Sequence, residues 1–267
     1  MKRFLKQLLI GSIYLTIFVS IGIAVFNATY VPTCIDKLKN QNEEQTDCGG
    51  PCAPCELRTL VAPGVSRKLF FQNDGNTVDV GFQIKNPNSD WGANNLEYRI
   101  DFLDASGNVF PGAIYGATYV MPNEAKWIIE LAKFVPEGMA DVRLTISTTT
   151  LSWLKLRPYV GDQDFAIKEI IFKRLAAPQS GYAEITGIIQ NKSGFNVENL
   201  DVQAIVYDYN KRVLGISKTT VFALRVGEFR EFRIFWPRPF NGEYKSADLF
   251  VNVNLLNNEN FLQKYGE

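Results

Sequence analysis

The sequence predicts an all-β protein in which two tandem antiparallel β-sandwiches follow one transmembrane helix and a small disulfide-rich segment. Three observations predict this fold class. A long uncharged stretch lies near the start of the chain, all four cysteines lie within 22 positions just after it, and the remaining residues alternate between apolar and polar side chains. Gly, Asn, Asp and Pro clusters interrupt that alternation at the spacing of short strands, which favours sandwiches.

Residues 1–28 are predicted to form a cytoplasmic tip and a transmembrane helix. Leu8–Phe26 contains no charged residue, and about 20 apolar residues are enough for a helix to cross a bilayer. Three basic residues precede this run and none follows until Lys37, so the positive-inside rule predicts a single-pass protein with a cytoplasmic N-terminus. A cleaved signal peptide, with Gly22 and Ala24 at the cleavage site, is the main alternative, and a buried core helix is the other. Both an anchor and a signal peptide would export the rest of the chain.

Residues 29–56 form a predicted cysteine-rich segment. Clustered cysteines oxidise outside the cytoplasm, and a segment this short has no room for a hydrophobic core, so we expect two disulfides. Four cysteines allow three pairings, and the sequence does not choose among them. A zinc or iron–sulfur site and a redox-active "CAPC" pair are the alternatives for the same thiols. The four residues are Cys34, Cys48, Cys52 and Cys55.

Oxygen-bearing side chains in the same segment suggest a calcium ion in addition to the disulfides. Calcium prefers carboxylate and amide oxygens as ligands. The run lacks the ordered spacing of a D-x-D-x-D-G loop, and a solvated polar loop is the alternative interpretation. The candidate ligands are Asp36, Asn40, Asn42, Glu44 and Asp47.

The cysteine-rich segment resembles a short motif of exported and surface proteins, C-x-DG-x-x-N-x-x-E-x-x-x-DCGG-x-C-x-x-C. The matching residues are Cys34, Asp36, Asn40, Glu43, the run 47–52 and Cys55. Lys37 stands where the motif has its first glycine. The resemblance covers less than a tenth of the chain, and it implies a location outside the cell rather than an activity.

Residues 57–158 and 159–267 are predicted to be two copies of one β-domain. The stretch from Val78 aligns with the stretch from Ala183 at an offset near 105. The Asn, Asp and Glu residues that coincide are expected to shape turns and hairpins rather than a reactive site. A hinge is expected near residues 155–164. The coinciding pairs are Asn86 with Asn191, Asn95-Leu96 with Asn199-Leu200, Asp104 with Asp208, Val109 with Val213, and Glu124 with Glu228.

The second copy resembles the FxLYD family of exported bacterial β-sandwich domains. The residues that carry the resemblance are "ITGIIQN" (185–191), "ENLDVQAIVYDYNKRVLG" (198–215) and "LRVGEFREFRI" (224–234), with Val226 in place of the family's proline. The first copy is similar to the immunoglobulin-like domain of late-embryogenesis-abundant proteins, through "FQIKNPN" (82–88). These resemblances imply tandem immunoglobulin-like sandwiches and export, and they supply no catalytic residue.

The composition argues against an enzyme and against nucleic-acid binding. The chain has 28 basic and 28 acidic residues, so no net field attracts a polyanion. It has no histidine, which removes the commonest general base and metal ligand. We therefore expect no catalytic residue and, calcium aside, no cofactor.

Trp91 is the candidate partner contact. It lies in the polar stretch "NSDWGANN", where we expect it to be exposed, and exposed aromatic residues favour interfaces. The sequence thus predicts a membrane-anchored protein that binds or scaffolds another envelope protein or polymer. An envelope redox or metal-binding protein that uses the four cysteines is the alternative, and a purely spacing role for the sandwiches is a third hypothesis.

Overall fold

A computed structural model describes residues 2–29, 33–73, 76–148, 151–159, 161, 164–176 and 181–267. The chain divides into two compact units, residues 1–60 and residues 61–267. The fold is mostly β, with antiparallel sheets, one N-terminal apolar helix and two disulfides, as the sequence predicts.

The first unit consists of helix α1 (Lys2–Thr29) and the cysteine-rich segment, which ends in a short 3-10 helix, Cys55–Arg58. Within α1, residues Arg3–Val25 are long and apolar enough to cross a membrane, and none of this stretch is buried in the protein. A helix that is apolar on every side is typical of a membrane span or a signal sequence, because no soluble core covers it.

The second unit contains thirteen described strands in four antiparallel sheets. Short runs of alternating residues form these strands because successive side chains point to opposite faces of a sheet. The strands are β1 Gly64–Asn73, β2 Thr77–Lys85, β3 Trp91–Leu103, β4 Ile114–Val120, β5 Ala125–Phe134, β6 Asp141–Ile146, β7 Ser152–Lys155, β8 Phe165–Arg174, β9 Ala183–Asn191, β10 Val197–Tyr207, β11 Val213–Leu224, β12 Phe229–Trp236 and β13 Ser246–Asn252.

The same strand order occurs twice along the chain. Strands β1–β6 form the sheets β1-β2-β5 and β4-β3-β6, and strands β8–β13 form β8-β9-β12 and β11-β10-β13. Strand β7 adds to the first group by pairing with β3. Each of the strands β1–β6 therefore has a counterpart in the second group, which agrees with the internal repeat in the sequence, whereas β7 has none. We call the two groups the first and the second sandwich.

Three hydrophobic clusters hold the four sheets in one stack. One cluster fills the first sandwich, between β1-β2-β5 and β4-β3-β6, and includes Phe82, Ile100 and Phe102. Another fills the second sandwich and includes Ile185 and Phe232. The third joins the sandwiches through four buried residues, Trp127, Ile129, Ile205 and Ile216. The outer face of β1-β2-β5 thus packs on the outer face of β11-β10-β13.

The predicted hinge is held by hydrogen bonds where the structure describes it. The backbone N–H of Arg157 donates to the carbonyl of Tyr265 at 2.7 Å, and the N–H of Glu267 donates to Lys155. Leu156 is buried in the core of the second sandwich. The expectation of a free hinge is therefore wrong for residues 155–157, because they pair with the end of the chain. Residues 160, 162 and 163 lie outside the described residues.

The chain ends in a second helix, α2 (Glu259–Tyr265), which closes one end of the second sandwich. The side chain of Asn258 caps α2 by accepting a hydrogen bond from the N–H of Phe261. Phe261 is fully buried and packs edge-on against Tyr159 and Phe195.

Candidate functional site

The cysteine-rich segment contains the two expected disulfides, Cys34–Cys52 and Cys48–Cys55, and no free cysteine. The pairing interleaves along the chain, so each bridge closes a loop that contains a cysteine of the other. A segment with few buried apolar residues is stabilised by such cross-links because they restrict its unfolded state.

The other residues of the cysteine-rich motif shape its backbone. The Glu43 carboxylate is buried and accepts hydrogen bonds from the N–H groups of Asn40 and Asp47. Gly50 has a φ of 59°, and a Cβ atom there would lie 2.4 Å from the carbonyl oxygen of Asn42. Lys37, which replaces the motif's glycine, also has a positive φ of 64°, and its N–H donates to the Asp47 carboxylate at 2.9 Å. The tight turn therefore forms without the glycine.

The five predicted calcium ligands lie in this segment without forming an evident cage. Asp36 accepts a hydrogen bond from the N–H of Leu38 at 2.8 Å, and Asp47 accepts one from Lys37, while Asn42 and Glu44 are exposed. Among the described residues, the one trio of acidic or cysteine side chains close enough to share an ion is Cys34, Glu43 and Cys52. Because Cys34 and Cys52 are bonded to each other, they offer no thiolate to a metal. Calcium at Asp36, Asn40, Asn42, Glu44 and Asp47 stays a prediction.

The expected exposure of Trp91 is wrong. Trp91 begins strand β3, pairs with Lys155 of β7, and is only 7% exposed. Its carbonyl accepts a hydrogen bond from the side chain of Asn86 at 2.6 Å. The polar residues before it form the turn, whereas Trp91 itself is the first residue of a strand and is buried by the sheet. Its proposed role in partner binding was inferred from exposure and now lacks that support.

Two buried asparagines occupy equivalent positions in the sandwiches. The Asn86 amide donates to the carbonyls of Trp91 and Met121, and the Asn191 amide donates to those of Phe195 and Leu224. Each side-chain oxygen accepts the N–H two residues further on. These residues hold the turns between strands, as the sequence predicts, and they belong to the structure rather than to a reactive site.

The described residues form two polar clefts between the sandwiches, one of about 590 Å³ and one of about 1040 Å³, and Lys126 lines both. The smaller cleft, which is rich in carboxamide side chains, is the candidate site. Its rim is exposed and includes Asn95, Asn199 and Asn257, whereas Tyr119, Lys126 and Gln203 at its floor are at most 8% exposed. Such a volume is typical of small-molecule sites. The cleft also resembles such sites in its position at a junction between two folded bodies.

Carboxamide side chains dominate the lining of the cleft, and several of them already join the sandwiches. The Asn94 amide donates to Asn257 at 2.5 Å, and Asn254 donates to Asn94 at 3.2 Å. Gln203 donates to the carbonyl of Trp127 at 3.1 Å. The seven carboxamide residues are Asn94, Asn95, Asn199, Gln203, Asn252, Asn254 and Asn257.

Lys126 is the unusual residue of the cleft. Its side chain is buried, and its Nζ lies 3.1 Å from the centroid of the Tyr119 ring, which is a cation–π contact. Burial lowers its pKa to about 8, although Glu124 and Asp201 favour its charged form. None of the described hydrogen bonds or ion pairs includes this ammonium group. A buried charge without a close anionic partner is destabilising, so this lysine is costly to the fold.

Three residues that line the cleft have a buried polar atom without a partner among the described residues, and one of these atoms is the indole nitrogen of Trp127. The other two matter here. These are the hydroxyl oxygen of Tyr119 and the side-chain oxygen of Gln203, both buried. Burial also raises the pKa of Tyr119, so its hydroxyl stays protonated and able to donate. The floor therefore combines a buried cation with a buried hydroxyl and a buried carbonyl oxygen, both of which have almost no accessible surface.

Sequence reasoning missed this cleft. Lys126 follows a turn and precedes the apolar run "WIIEL", a position at which lysine is usually solvated. The asparagine-rich stretches "GANN" (92–95) and "VNVNLLNN" (251–258) were the available signal, and nothing in the sequence places them at one site. Only the packing of one sandwich on the other does so.

The chain matches no protein-family model. No curated protein matches it either. The resemblance to FxLYD domains and to the exported cysteine motif therefore stays a prediction.

Proposed function

We propose that the chain is a membrane-anchored extracytoplasmic protein that binds or scaffolds another component of the cell envelope and has no catalytic activity of its own. The polar cleft between the sandwiches is the observation that carries the binding role. It combines a small-molecule volume with a floor whose polar atoms have no partners among the described residues, which is typical of a ligand site.

Two features of the first unit support the proposed location of the protein. An apolar helix of membrane-spanning length lies at the N-terminus, and every cysteine after it is in a disulfide. Disulfides persist in oxidising compartments. Together with the basic residues before the helix, these features support a cytoplasmic N-terminus and exported sandwiches.

The sandwiches suit binding better than catalysis. The cleft contains one buried lysine with a lowered pKa. The Tyr98 hydroxyl donates to the Glu130 carboxylate at 3.0 Å, but burial raises the pKa of Tyr98 and so disfavours a nucleophilic phenolate. The alternative of a redox or metal-binding protein finds no support in the described cysteines, because all four are paired with one another.

The proposal is tested in cells with the full chain tagged at both ends. Protease added from outside the cytoplasmic membrane is expected to destroy the C-terminal tag and to spare the N-terminal tag. The purified chain in detergent is then sedimented with delipidated envelope material, and we expect it to pellet.

Two variants test whether the cleft is responsible for that retention. Asn199→Trp fills the exposed rim of the cleft and is expected to reduce the pelleted fraction, whereas Asn210→Trp, in an exposed turn outside the cleft, is expected to leave it unchanged. A protected C-terminal tag, or equal pelleting of both variants, would contradict the proposal.

A further inference from the structure

We infer that the cleft binds an acidic saccharide unit, a sugar ring with one carboxylate, and that Lys126 is the residue that pairs with the carboxylate. The inference rests on the proposed binding function and adds the chemical class of the ligand. It depends on the carboxamide lining, the partnerless floor atoms and a difference between the two sandwiches at the position of Lys126.

The second sandwich shows what this position looks like without a ligand site. Arg230 corresponds to Lys126, since both lie two residues after the matching glutamates, Glu228 and Glu124. Arg230 forms an ion pair with Glu228 and donates to the carbonyl of Phe222. In both sandwiches the glutamate accepts from the N–H three residues before it, but no described ion pair joins Glu124 to Lys126. In the second sandwich the basic residue at this position is thus paired with the neighbouring glutamate. In the first sandwich the corresponding lysine lacks that pair and lies in the cleft.

The charge of the cleft favours a ligand with a single negative group. Asp201 receives a hydrogen bond from Thr220 and lies 3.8 Å from Lys218, and Glu130 is paired with Lys133. These acids already have cationic partners. Lys126 is the cation of the lining for which the described residues supply no ion-pair partner. One carboxylate would balance its charge, whereas a polyanion would not.

The remaining lining matches hydroxyl groups. A carboxamide donates and accepts at once, as a sugar hydroxyl does, so the carboxamide atoms that do not join the sandwiches offer complementary pairs. The side-chain oxygen of Gln203 and the hydroxyl of Tyr119 are an unpaired acceptor and an unpaired donor buried under the same floor. An apolar ligand would leave these groups unpaired, which disfavours a lipid or a hydrophobic peptide.

The test is calorimetric titration of the full chain in detergent with glucuronate and galacturonate, and with glucose and galactose as their uncharged counterparts. We expect at least one uronate to bind at least 10-fold more tightly than its neutral sugar. Lys126→Met is expected to remove that difference, and Lys68→Met, which removes a lysine outside the cleft, is expected to preserve it. Asn199→Ala at the rim is expected to weaken uronate and neutral sugar alike by severalfold.

Three results would overturn the inference. These are no uronate binding, equal binding of uronate and neutral sugar, and undiminished uronate binding by a folded Lys126→Met variant. A simple carboxylate such as propionate that competes as well as the uronate would show that the ring is not recognised and would also overturn it. A chain that pellets with envelope material but binds no uronate would retain the proposed function and lose only this inference.

Discussion

At the residue scale, Lys126 is the clearest case of a side chain that the fold tolerates rather than needs. Removing its buried charge with Lys126→Met is expected to leave the chain at least as stable, with a gain in the free energy of unfolding on the order of 1 kcal/mol at neutral pH. Residues kept at such a cost tend to serve function. Thermal unfolding followed by circular dichroism measures the change, and a large loss of stability would show that Lys126 supports the fold.

The same lysine predicts an alkaline pH dependence. Its pKa is about 8 when folded, against 10.5 ordinarily, so the unfolded chain binds more protons between those values. Stability should therefore rise as pH increases through this range, by on the order of 1 kcal/mol per pH unit. The buried hydroxyls of Tyr98 and Tyr119 have raised pKa values and oppose the rise only above about pH 10.

The rise should be measured between about pH 7 and about pH 9.5 by denaturant unfolding, below the tyrosine range. Lys126→Met is expected to flatten the curve. The charged groups that act on Lys126 are Glu124, Asp201 and Lys218, and they remain in the variant. An unchanged slope in Lys126→Met would assign the dependence to another group.

Asn191, in contrast to Lys126, is expected to stabilise the fold. Asn191→Ala removes hydrogen bonds to the carbonyls of Phe195 and Leu224 and from the N–H of Ser193, at a site with no solvent exposure. We expect a loss of about 3 kcal/mol in the free energy of unfolding. Asn210→Ala removes an exposed amide in the turn at the other end of β10 and is expected to change stability by no more than about 0.5 kcal/mol. Equal effects of the two changes would contradict the role of Asn191.

The sequence predicted these residues unequally. The coincidence of Asn86 with Asn191 pointed to structural turns because local hydrogen bonding sets that role. The exposure of Trp91 was mispredicted and the burial of Lys126 was missed for the same reason. Their burial depends on strands and a second sandwich far away in sequence, and local polarity carries no signal of that packing.

At the element scale, an aspartate stabilises the turn of two equivalent hairpins in the same way. Asp104 accepts from the N–H groups of Ser106 and Asn108, and Asp208 accepts from those of Asn210 and Arg212. The hydrogen bonds from Asn108 hold the pKa of Asp104 below its usual value. Burial opposes ionisation of Asp208, but the hydrogen bonds from Arg212 keep its pKa low as well.

These hairpins predict a loss of stability in acid. A carboxylate whose pKa is lowered by folding stabilises the protein above its unfolded pKa and loses that contribution as pH falls. The melting temperature should therefore fall below about pH 4. Asp104→Asn is expected to make that fall shallower, and Glu137→Gln, in an exposed turn, to leave it unchanged. Melting curves in acid that coincide for Asp104→Asn and the parent chain would refute this role.

The elements themselves were largely predictable. Alternation and turn residues located the strands, and the matching acids located both hairpins, because these signals are local. Strand partners were not predictable in the same way. The pairing of β2 with β5, for example, joins segments about 50 residues apart through a register set by the packed sheets.

At the scale of the whole molecule, the sandwiches are joined by an apolar contact rather than a flexible link. Trp127→Ala removes the largest side chain of that contact and is expected to reduce the free energy of unfolding by about 3–5 kcal/mol. Phe134→Ala, an 82% exposed position on the same strand, is expected to have little effect. Separate melting of the two sandwiches in the parent chain would contradict a shared core.

The two outer faces of the stack differ from its two joined faces. The joined faces carry Ile129 and Ile205, and the equivalent positions on the outer faces, by the register of the repeat, are Arg233 and Asp101. Arg233 pairs with Glu184, and Asp101 lies between two arginines. The outer faces thus carry charged residues at positions where the joined faces carry isoleucines.

Both proposals depend on the claim that the chain beyond its apolar helix resides in an oxidising compartment. The most direct measurement is the state of the four cysteines in the full chain, trapped in cells with acid and alkylated with and without reductant, followed by intact mass. The account predicts no alkylation without reductant and four alkylated cysteines with it. Free thiols in the trapped chain, or stoichiometric zinc or iron in the purified protein, would contradict it.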